Sequence, residues 1–350
     1  MAIQYFIPEV WAATLLSTLK KSLVYAGVCN RNYEGDIAQS GDTVHIVTAG
    51  SPTIVDYTKD TDLSIEVLSD EEQQLLIDQS KAFAFEVDDI DKRQMKNGGA
   101  FMSEAAQNAA FGLRDVADRF LAKKMILSAG HHLGVIDATT STNVYDKLLV
   151  PAKVKLDVAN VPTEGRWIVV DPATHGQLLL DGRFIKANES GTAEALRNGL
   201  IGRAAGFEIY MSNNAPQGNR AITATITVAT TAATLTGAAG TFSQGDIGLT
   251  VAGTRITASS KIISVNETGS VATMDTAGAS AGTQADTVLS GGGQVAVAGT
   301  RIAASYAEQI SKVEAFRPEK RFADALKGLH VYGGKVVRPT GLVVASVKVS

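Results

Sequence analysis

Apolar and polar residues follow two different periods along this chain, and together they predict a protein of mixed helices and strands. Alternation by two, which is typical of half-buried strands, occurs over residues 43–48, 62–68 and 82–87. Apolar residues recur every three or four positions between Ala100 and Leu127, as they do on one face of a helix. The predicted class is therefore α+β.

The helix Ala100–Leu127 is the longest predicted element, and its interior contains no Pro and one Gly, Gly112. At 1.5 Å per residue it would be about 42 Å long. Several small residues, Ala105 and Ala110 among them, would let it pack closely on a sheet. Its predicted apolar stripe consists of Met102, Ala106, Ala109, Leu113, Val116 and Phe120.

Two elements precede this helix. Strands 43–48 and 62–68, with polar residues 55–60 between them, predict an extended two-stranded loop. An isolated hairpin is marginally stable in water, so a partner subunit is a candidate surface for it to lie on.

Residues 8–23 predict an amphipathic helix, which is either an ordinary core helix or an arm that docks on a neighbouring subunit. Its apolar stripe is Trp11, Leu15, Leu19 and Leu23.

Alternating helix and strand signals follow the long helix. Pro151 would kink or restart a helix over residues 144–159, and Asp171 is placed to cap a helix that begins at Pro172. Strands are predicted at Arg166–Val170, Phe207–Met211, Leu329–Val337 and Leu342–Val349.

Residues 218–297 interrupt this pattern with a block that is rich in Ala, Thr, Gly, Ser, Val and Ile. Short apolar runs punctuated by glycines predict a small inserted β domain, and the alternative is an exposed low-complexity loop. The predicted strands are Ile222–Val228, Leu249–Val251, Arg255–Ala258, Lys261–Val265 and Val271–Met274.

Composition and charge exclude several classes of protein. The formal net charge of −4 gives no basic footprint for nucleic-acid recognition. Cys29 is the single cysteine, so no intrachain disulfide can form, and a reducing compartment is expected. No apolar run approaches the roughly 20 residues of a membrane-spanning helix.

Motifs for catalysis are weak, and neither an enzyme nor a cofactor is predicted. The Gly-x-Ser-x-Gly match at residues 278–282 lies in Ala- and Gly-rich sequence with no helix signal after it. Asp88, Asp89 and Asp91 could bind a metal ion, but they lack the glycine and distal Glu of a calcium-binding loop. Solvated or salt-bridged acids are the favoured interpretation of this cluster.

Several short segments, taken in order, resemble those of tailed-phage major capsid proteins, which have an HK97-like fold. The opening segment is Phe6-Ile7-Pro8-Glu9-Val10-Trp11, and the chain closes with Lys312–Glu319 and Gly328–Gly333. Between them lie Asp56–Asp62, Leu76–Gln79 and Val87–Asp91. The individual segments are short, and it is their order and spacing that make the resemblance specific.

The resemblance implies an arrangement of the whole chain. Residues 1–40 would form an N-terminal arm, and residues 41–80 an extended loop. Residues 81–130 would form a peripheral domain that includes the spine helix 100–128. An axial domain at 131–217 would precede the inserted domain at 218–297, and residues 298–350 would return to the body. With only five residues before Phe6, no cleaved scaffolding segment is expected there.

The implied function is structural: pentamers and hexamers of this chain would build an icosahedral virion shell, assembled in the host cytoplasm. The shell would enclose double-stranded DNA without reading its sequence, and scaffolding, portal and decoration proteins are possible partners. The alternatives are an encapsulin-like compartment and, more remotely, a metal-dependent hydrolase that uses Asp88–Asp91. The predicted subunit contacts are Trp11, Tyr57, Lys59, Asp60, Arg317 and Arg321.

Overall fold

Strands outnumber helices in this computed structural model, as the mixed sequence pattern predicts. The structure describes residues 24–32, 43–49, 53–54, 56, 59, 70–89, 98–181, 203–231, 233–319 and 321–349. The helices are α1 (Val24–Val28), α2 (Gly98–Leu127), α3 (Ser141–Asn143), α4 (Val150–Val158) and α5 (Pro172–Leu179). The amphipathic segment 8–23 and the predicted strand 62–68 lie outside the described residues.

The strands form five sheets. Those of the main body are β1 (Thr43–Ala49), β2 (Asp70–Leu76), β3 (Gln79–Asp88), β4 (His131–Asp137), β5 (Arg166–Val170), β6 (Arg203–Ala204), β7 (Phe207–Met211), β16 (Gln294–Thr300), β17 (Ala304–Phe316), β18 (Ala323–Val336) and β19 (Leu342–Lys348). Those between residues 220 and 290 are β8 (Arg220–Ile222), β9 (Ile226–Val228), β10 (Thr234–Thr236), β11 (Thr250–Ala252), β12 (Ile262–Val265), β13 (Val271–Met274), β14 (Gly282–Gln284) and β15 (Thr287–Ser290).

Helix α2 confirms the predicted long helix and part of its apolar stripe, because Ala106 and Leu113 are buried as predicted. The predicted stripe is wrong at Val116, whose side chain is 42% exposed, and the side chain of Met102 lies outside the described part. The helix lies close to a glycine of β18, since a Cβ on Gly334 would come within 2.8 Å of Leu121 Cδ2. Among the described residues of α2, those buried are Ala106, Ala110, Leu113, Ala117, Asp118, Leu121, Ala122, Met125 and Ile126.

A six-stranded mixed sheet forms the centre of the body, in the order β4-β19-β16-β5-β7-β6. Trp167 and Val169 of β5 pack on one face with α2, and Ile168 and Val170 pack on the other face with α4 and α5. Because helices cover both faces, every residue of β5 is buried. This explains the continuous apolar run from which the strand was predicted.

The helices that cover the second face begin where the sequence indicates. A π-helical turn at Val144–Leu149 precedes α4, whose second residue is Pro151, so the predicted helix 144–159 is divided in two. Proline lacks the N–H that would continue the hydrogen-bond ladder, which accounts for the division. Asp171 caps α5 as predicted, since its carboxylate accepts a hydrogen bond from the N–H of Ala173 at 3.1 Å.

A second sheet has the order β17-β18-β3, and all its strands are antiparallel. The predicted alternation of β3 is confirmed: Phe83 and Phe85 are partly buried and Val87 is buried. Strand β1 also forms as predicted, but it pairs with β2 at Asp70–Leu76. Sequence reasoning missed β2 because its polar run, Asp-Glu-Glu-Gln-Gln, shows no apolar alternation.

Residues 220–290 form two small sheets around a separate apolar cluster, which includes Phe242 and Leu249. The predicted strands at Lys261–Val265 and Val271–Met274 are confirmed to within a residue, whereas Arg255–Ala258 lies in turns. Sequence reasoning missed strands β10, β14 and β15, which have three or four residues each.

The chain enters and leaves this β region at neighbouring positions. The N–H of Gly218 donates to the carbonyl of Gly293 at 2.8 Å, and Gln217 pairs with Gln294. Strand β16 then joins the six-stranded sheet, where Val297 pairs with Val344 and with Val169. The predicted boundary at residue 297 therefore falls inside a strand of the main body.

A buried ion pair links the first strand of the β region to the turn that follows Phe242. Asp246 is fully buried, and its carboxylate accepts hydrogen bonds from Arg220 Nη1 at 2.5 Å and Arg220 Nη2 at 2.7 Å. The same carboxylate accepts from the N–H of Ser243 at 2.7 Å. Three donors thus compensate this carboxylate for its lost hydration.

We predict that Asp246→Ala destabilises the protein by about 3–5 kcal/mol, because it leaves the Arg220 guanidinium partly buried without its charge partner. Denaturant unfolding followed by circular dichroism measures the loss. Glu267→Ala, at an exposed position of the same region, is the matched control and should change stability little. The double variant Arg220→Met/Asp246→Leu should recover part of the loss, and a double variant less stable than Asp246→Ala would contradict the assignment.

Two glycine substitutions test the packing of the body. A Cβ on Gly293 would overlap the backbone of Val347, so Gly293→Ala should cost about 1–3 kcal/mol or more. A Cβ on Gly112 of α2 meets nothing within 4 Å, so Gly112→Ala should stabilise by about 0.5–1 kcal/mol. Thermal unfolding of both variants beside the wild type would show the opposite signs, and equal shifts would contradict this packing.

Candidate assembly interfaces

The turn between β17 and β18 exposes two large aromatic side chains. Phe322 is 81% exposed and Phe316 is 43% exposed, and they flank the predicted contact residues Arg317 and Arg321. We call these four residues the hairpin tip. An exposed aromatic and arginine cluster is typical of residues that become buried when two proteins bind.

The structure gives both arginines partners within the chain. Arg317 forms an ion pair with Asp89, and Arg321 forms one with Glu86 of β3. All four side chains are at least partly exposed, so these pairs contribute little to stability. The arginines therefore remain able to exchange an intrachain acid for one on another subunit.

The acidic residues Asp88, Asp89 and Asp91, which were considered as a metal site, lie in different surroundings. Asp89 is committed to Arg317, Asp88 is exposed on β3, and Asp91 lies outside the described residues. Within the described ranges, no group of three His, Cys, Asp or Glu side chains is placed to hold a metal ion.

Of the other predicted contacts, only Lys59 falls in the part of the chain that the structure describes. It is exposed in a turn, and Ile54, a few residues before it, is 96% exposed. Trp11, Tyr57 and Asp60 lie outside the described residues. The structure therefore places Arg317 and Arg321 in the same turn, and the role of all six residues as subunit contacts stays a prediction.

Helix α4 exposes a second apolar surface that sequence reasoning missed. Val150, Val154 and Val158 recur at intervals of four along one side, and Val158 is 77% exposed. The opposite side of α4 buries Ala152 and Leu156 against the six-stranded sheet. The spacing of the valines was visible in the sequence, but both sides of the helix are apolar, so periodicity alone could not tell which side faces outward.

A buried carboxylate of helix α2 binds the start of helix α1. Asp118 Oδ1 accepts a hydrogen bond from the N–H of Tyr25 at 2.9 Å, and Asp118 Oδ2 accepts one from Asn214 Nδ2 at 3.0 Å. Burial raises the pKa of Asp118, and these hydrogen bonds offset part of that effect. Asp118 thus holds the start of α1 against α2.

A second polar cluster fixes the segment that follows α1. Asn30 pairs with Ser305 of β17, and the neighbouring Arg31 forms an ion pair with Glu308. Tyr306 donates a hydrogen bond to Glu308 Oε2 at 2.9 Å, and His330 Nε2 lies 3.6 Å from the same oxygen. Burial raises the pKa of Glu308, but the contacts with His330, Arg31 and Tyr306 together hold it below its ordinary value.

The candidate nucleophiles lack catalytic surroundings. Cys29 is buried, its thiol donates to the carbonyl of Tyr25 at 3.1 Å, and burial raises the thiol pKa far above its ordinary value. Ser280, in the Gly-x-Ser-x-Gly segment, accepts a hydrogen bond from Arg255 Nη1 and precedes strand β14. A nucleophile elbow requires a following helix.

None of the described helices is long and apolar enough to span a membrane.

Comparison with solved structures places this architecture among phage structures. The chain is similar to "Mycobacterium phage Che8", with 28% identity, a TM-score of 0.60, and 93% of this chain and 91% of that chain covered. "Capsid structure of the Cyanophage P-SCSP1u" matches at 16% identity and a TM-score of 0.56, covering 89% of this chain and 85% of that one. "Asymmetric unit of bacteriophage PhiM1 mature capsid" matches at 12% identity and a TM-score of 0.54, covering 93% and 87%.

The chain has the fold of phage capsid proteins. This confirms the resemblance to tailed-phage major capsid proteins that the sequence motifs indicated. The three structures all come from phages, so the capsid fold found here does not favour the encapsulin-like alternative. No family model matches the chain, and no curated protein matches it either.

The Glu308 cluster predicts how the stability of this capsid-fold subunit depends on pH. Because the folded-state pKa of Glu308 is lowered, its contribution is present above the unfolded-state value of about 4.3 and is lost as pH falls through the folded-state value. We expect Glu308→Gln to cost about 1.5–3 kcal/mol at neutral pH.

Denaturant unfolding at several pH values measures this difference. The gap between wild type and Glu308→Gln should narrow in acid, while the exposed control Glu267→Gln should show no comparable gap. A gap that widens as pH falls would contradict a stabilising ionised Glu308.

Proposed function

We propose that this chain is the major capsid protein of a tailed phage and that many copies form a closed icosahedral shell. The observation that carries the proposal is a capsid fold shared along nearly the whole chain. The proposed mechanism is geometric: one surface forms five- and six-fold rings, and another joins the rings. In this proposal the chain is not an enzyme, needs no cofactor, and resides in the virion.

We propose an HK97-like arrangement for the parts of the chain. Residues 1–40 would be the arm, 41–80 the extended loop, 81–130 the peripheral domain, 131–217 the axial domain and 298–350 the return to the body. The inserted domain would span 218–297. The hydrogen bond between Gly218 and Gly293 supports an insertion point at which the two crossings are adjacent.

Two apolar surfaces support subunit contacts. The hairpin tip presents aromatic and arginine side chains, and the exposed valines of α4 present an aliphatic surface elsewhere. A ring-forming fold needs at least two different contact surfaces, and these two are separate. Trp11, Tyr57, Lys59 and Asp60 would contribute further contacts from the arm and loop, in which Trp11 packs and the charged residues set the register.

A closed shell formed by this chain would have several partners. Double-stranded DNA would be enclosed without sequence-specific contacts, in keeping with the net charge of −4. Scaffolding, portal and decoration proteins would bind the assembled lattice. Assembly would take place in the host cytoplasm.

We predict that Phe322→Asp and Val154→Asp each abolish shell assembly and leave the subunit folded. Both side chains are exposed in the single chain, so the charge costs little until another subunit must cover it. Sedimentation velocity measures assembly, and circular dichroism checks folding. Ile263→Asp is the control, because Ile263 is an apolar residue of the β region that is about as exposed as Val154. This variant should assemble.

Lys59→Glu tests the loop contact separately. If Lys59 pairs with an acid on a neighbour, charge reversal should slow assembly and lower the yield of shells. Unchanged assembly would remove Lys59 from the contact residues. Normal shells from both Phe322→Asp and Val154→Asp would refute the two proposed surfaces.

A further inference from the structure

A groove of about 590 Å³ lies between the last turns of helix α2 and the start of the β region. We call it the α2 groove. Its floor is mostly apolar, and two lysines line it beside that floor. The lining includes Phe120, Lys123, Lys124, Leu127, Pro216 and Phe242. Such a groove fits a protein segment that presents apolar side chains next to a carboxylate.

The positive charge of the two lysines is not neutralised within the described chain. Lys123 is exposed and has no ion-pair partner among the described residues, and Lys124 Nζ lies 5.5 Å from the centre of the Phe120 ring. Arg220 also lines the groove, but it is already paired with Asp246. The groove therefore offers two cations to a carboxylate that comes from outside it.

The end of helix α4 and the turn that follows it present the complementary chemistry. We call residues 158–165 the α4 loop. Val158 is 77% exposed, and Pro162 and Glu164 are exposed as well. Glu164 has no ion-pair partner in the part of the chain that the structure describes. The loop thus presents two apolar side chains and one uncompensated carboxylate.

A buried arginine holds the α4 loop in one shape. Arg166 Nε donates to the carbonyl of Pro162 at 2.9 Å, and Arg166 Nη2 donates to the carbonyl of Val161 at 2.6 Å. Arg166 Nη1 forms an ion pair with Asp157 Oδ1 at 2.6 Å. A loop fixed in this way loses little conformational freedom when it binds, so it is suited to a specific contact.

The α4 loop and the α2 groove lie at opposite ends of the central strands. The loop leads into Arg166, which pairs with Thr300 of β16. Pro216, which lines the groove, accepts a hydrogen bond from the N–H of Val295, five residues before Thr300 and about 17 Å from it at the rise of a strand. Helices α2 and α4 also cover opposite faces of this sheet. A chain therefore cannot place its α4 loop in its own α2 groove, whereas two copies can meet in this way.

We propose that the α4 loop of one subunit binds in the α2 groove of the next. Val158 and Pro162 pack on the apolar floor, and Glu164 faces Lys123 and Lys124. Because the two surfaces differ, the contact is head-to-tail and can close into a ring. This contact presupposes the shell proposed above, in which it gives the exposed side of α4 a partner surface.

Disulfide trapping in the full-length protein tests this contact. Thr163→Cys is combined with Gln217→Cys in one chain, and both positions are exposed. Each chain then has one reactive loop and one reactive groove, so oxidation of the concentrated protein should give a ladder of linked chains in a non-reducing gel. The control pair Thr163→Cys/Ser264→Cys, with an exposed cysteine in β12, should give no ladder. The native Cys29 is buried with a raised pKa, so it should not compete.

The outcomes separate this contact from the shell itself. A disulfide within one chain, or a ladder no stronger than that of the control pair, would overturn the contact. Shells that form without the ladder would refute the contact and leave the capsid proposal intact. A ladder without shells would support the contact and count against a closed shell, and the absence of both would overturn both.

A charge exchange between two copies gives a second readout. Glu164→Lys and the double variant Lys123→Glu/Lys124→Glu should each slow association about tenfold or more, because like charges then face each other. A mixture of the two variants should recover, because each loop meets a groove of opposite charge on the other chain. Lys261→Glu, at an exposed site in the β region, should associate like the wild type.

Sedimentation velocity measures the association, and circular dichroism checks that each variant is folded. Recovery in the mixture requires that loop and groove belong to different copies, so a contact within one chain would give none. Two folded, impaired variants that do not recover when mixed would contradict the pairing of Glu164 with the two lysines.

Discussion

The close approach of helix α2 to two sheets at once is the contact on which the rest of the structure depends. Ala110, Ala117 and Ala122 are completely buried along its inner side. The same cluster contains Trp167 from the six-stranded sheet and Tyr332 from the β17-β18-β3 sheet. Where the helix crosses β18, the side chain of Leu121 packs against Gly334, and a Cβ at that position would come within 2.8 Å of Leu121 Cδ2. One helix thus fixes the relative position of both sheets.

This packing of α2 holds the two proposed contact surfaces in a fixed relation to each other. Helix α4 is carried by the six-stranded sheet, and the hairpin tip is the end of the other sheet. Because α2 joins the two sheets through a packed core, the valines of α4 and the aromatic residues of the tip belong to one body. A lattice of identical subunits needs contact surfaces held at a fixed separation, and this core would supply it.

The same helix also holds helix α1 in place through the buried carboxylate of Asp118. Asp118 accepts from Tyr25 on one side of α2, while Lys123 and Lys124 remain available one turn further along. The buried acid is compensated by donors, whereas the two cations have no acid in the described chain.

Much of the fold could be predicted from the sequence because its largest elements obey simple periods. Helix α2, strand β3 and the capped start of α5 follow directly from spacing and capping residues. Strand β2 could not be found, because its polar residues carry no signal that is independent of its partner strand.

The predicted stripe of α2 is confirmed at Ala106 and Leu113, but Val116 is exposed and Ala110 and Ala117 are buried in addition. At the candidate interfaces, the sequence indicated Arg317 and Arg321 but not Phe316 and Phe322. An aromatic residue beside a turn looks the same in a sequence whether it is buried or exposed.

Electron microscopy of the purified wild-type protein, over a range of concentrations, tests the central claim most directly. The account predicts closed icosahedral particles built from pentamers and hexamers. A monomer or small oligomer that does not grow at any concentration, either alone or when co-expressed with the products of its neighbouring genes, would contradict it.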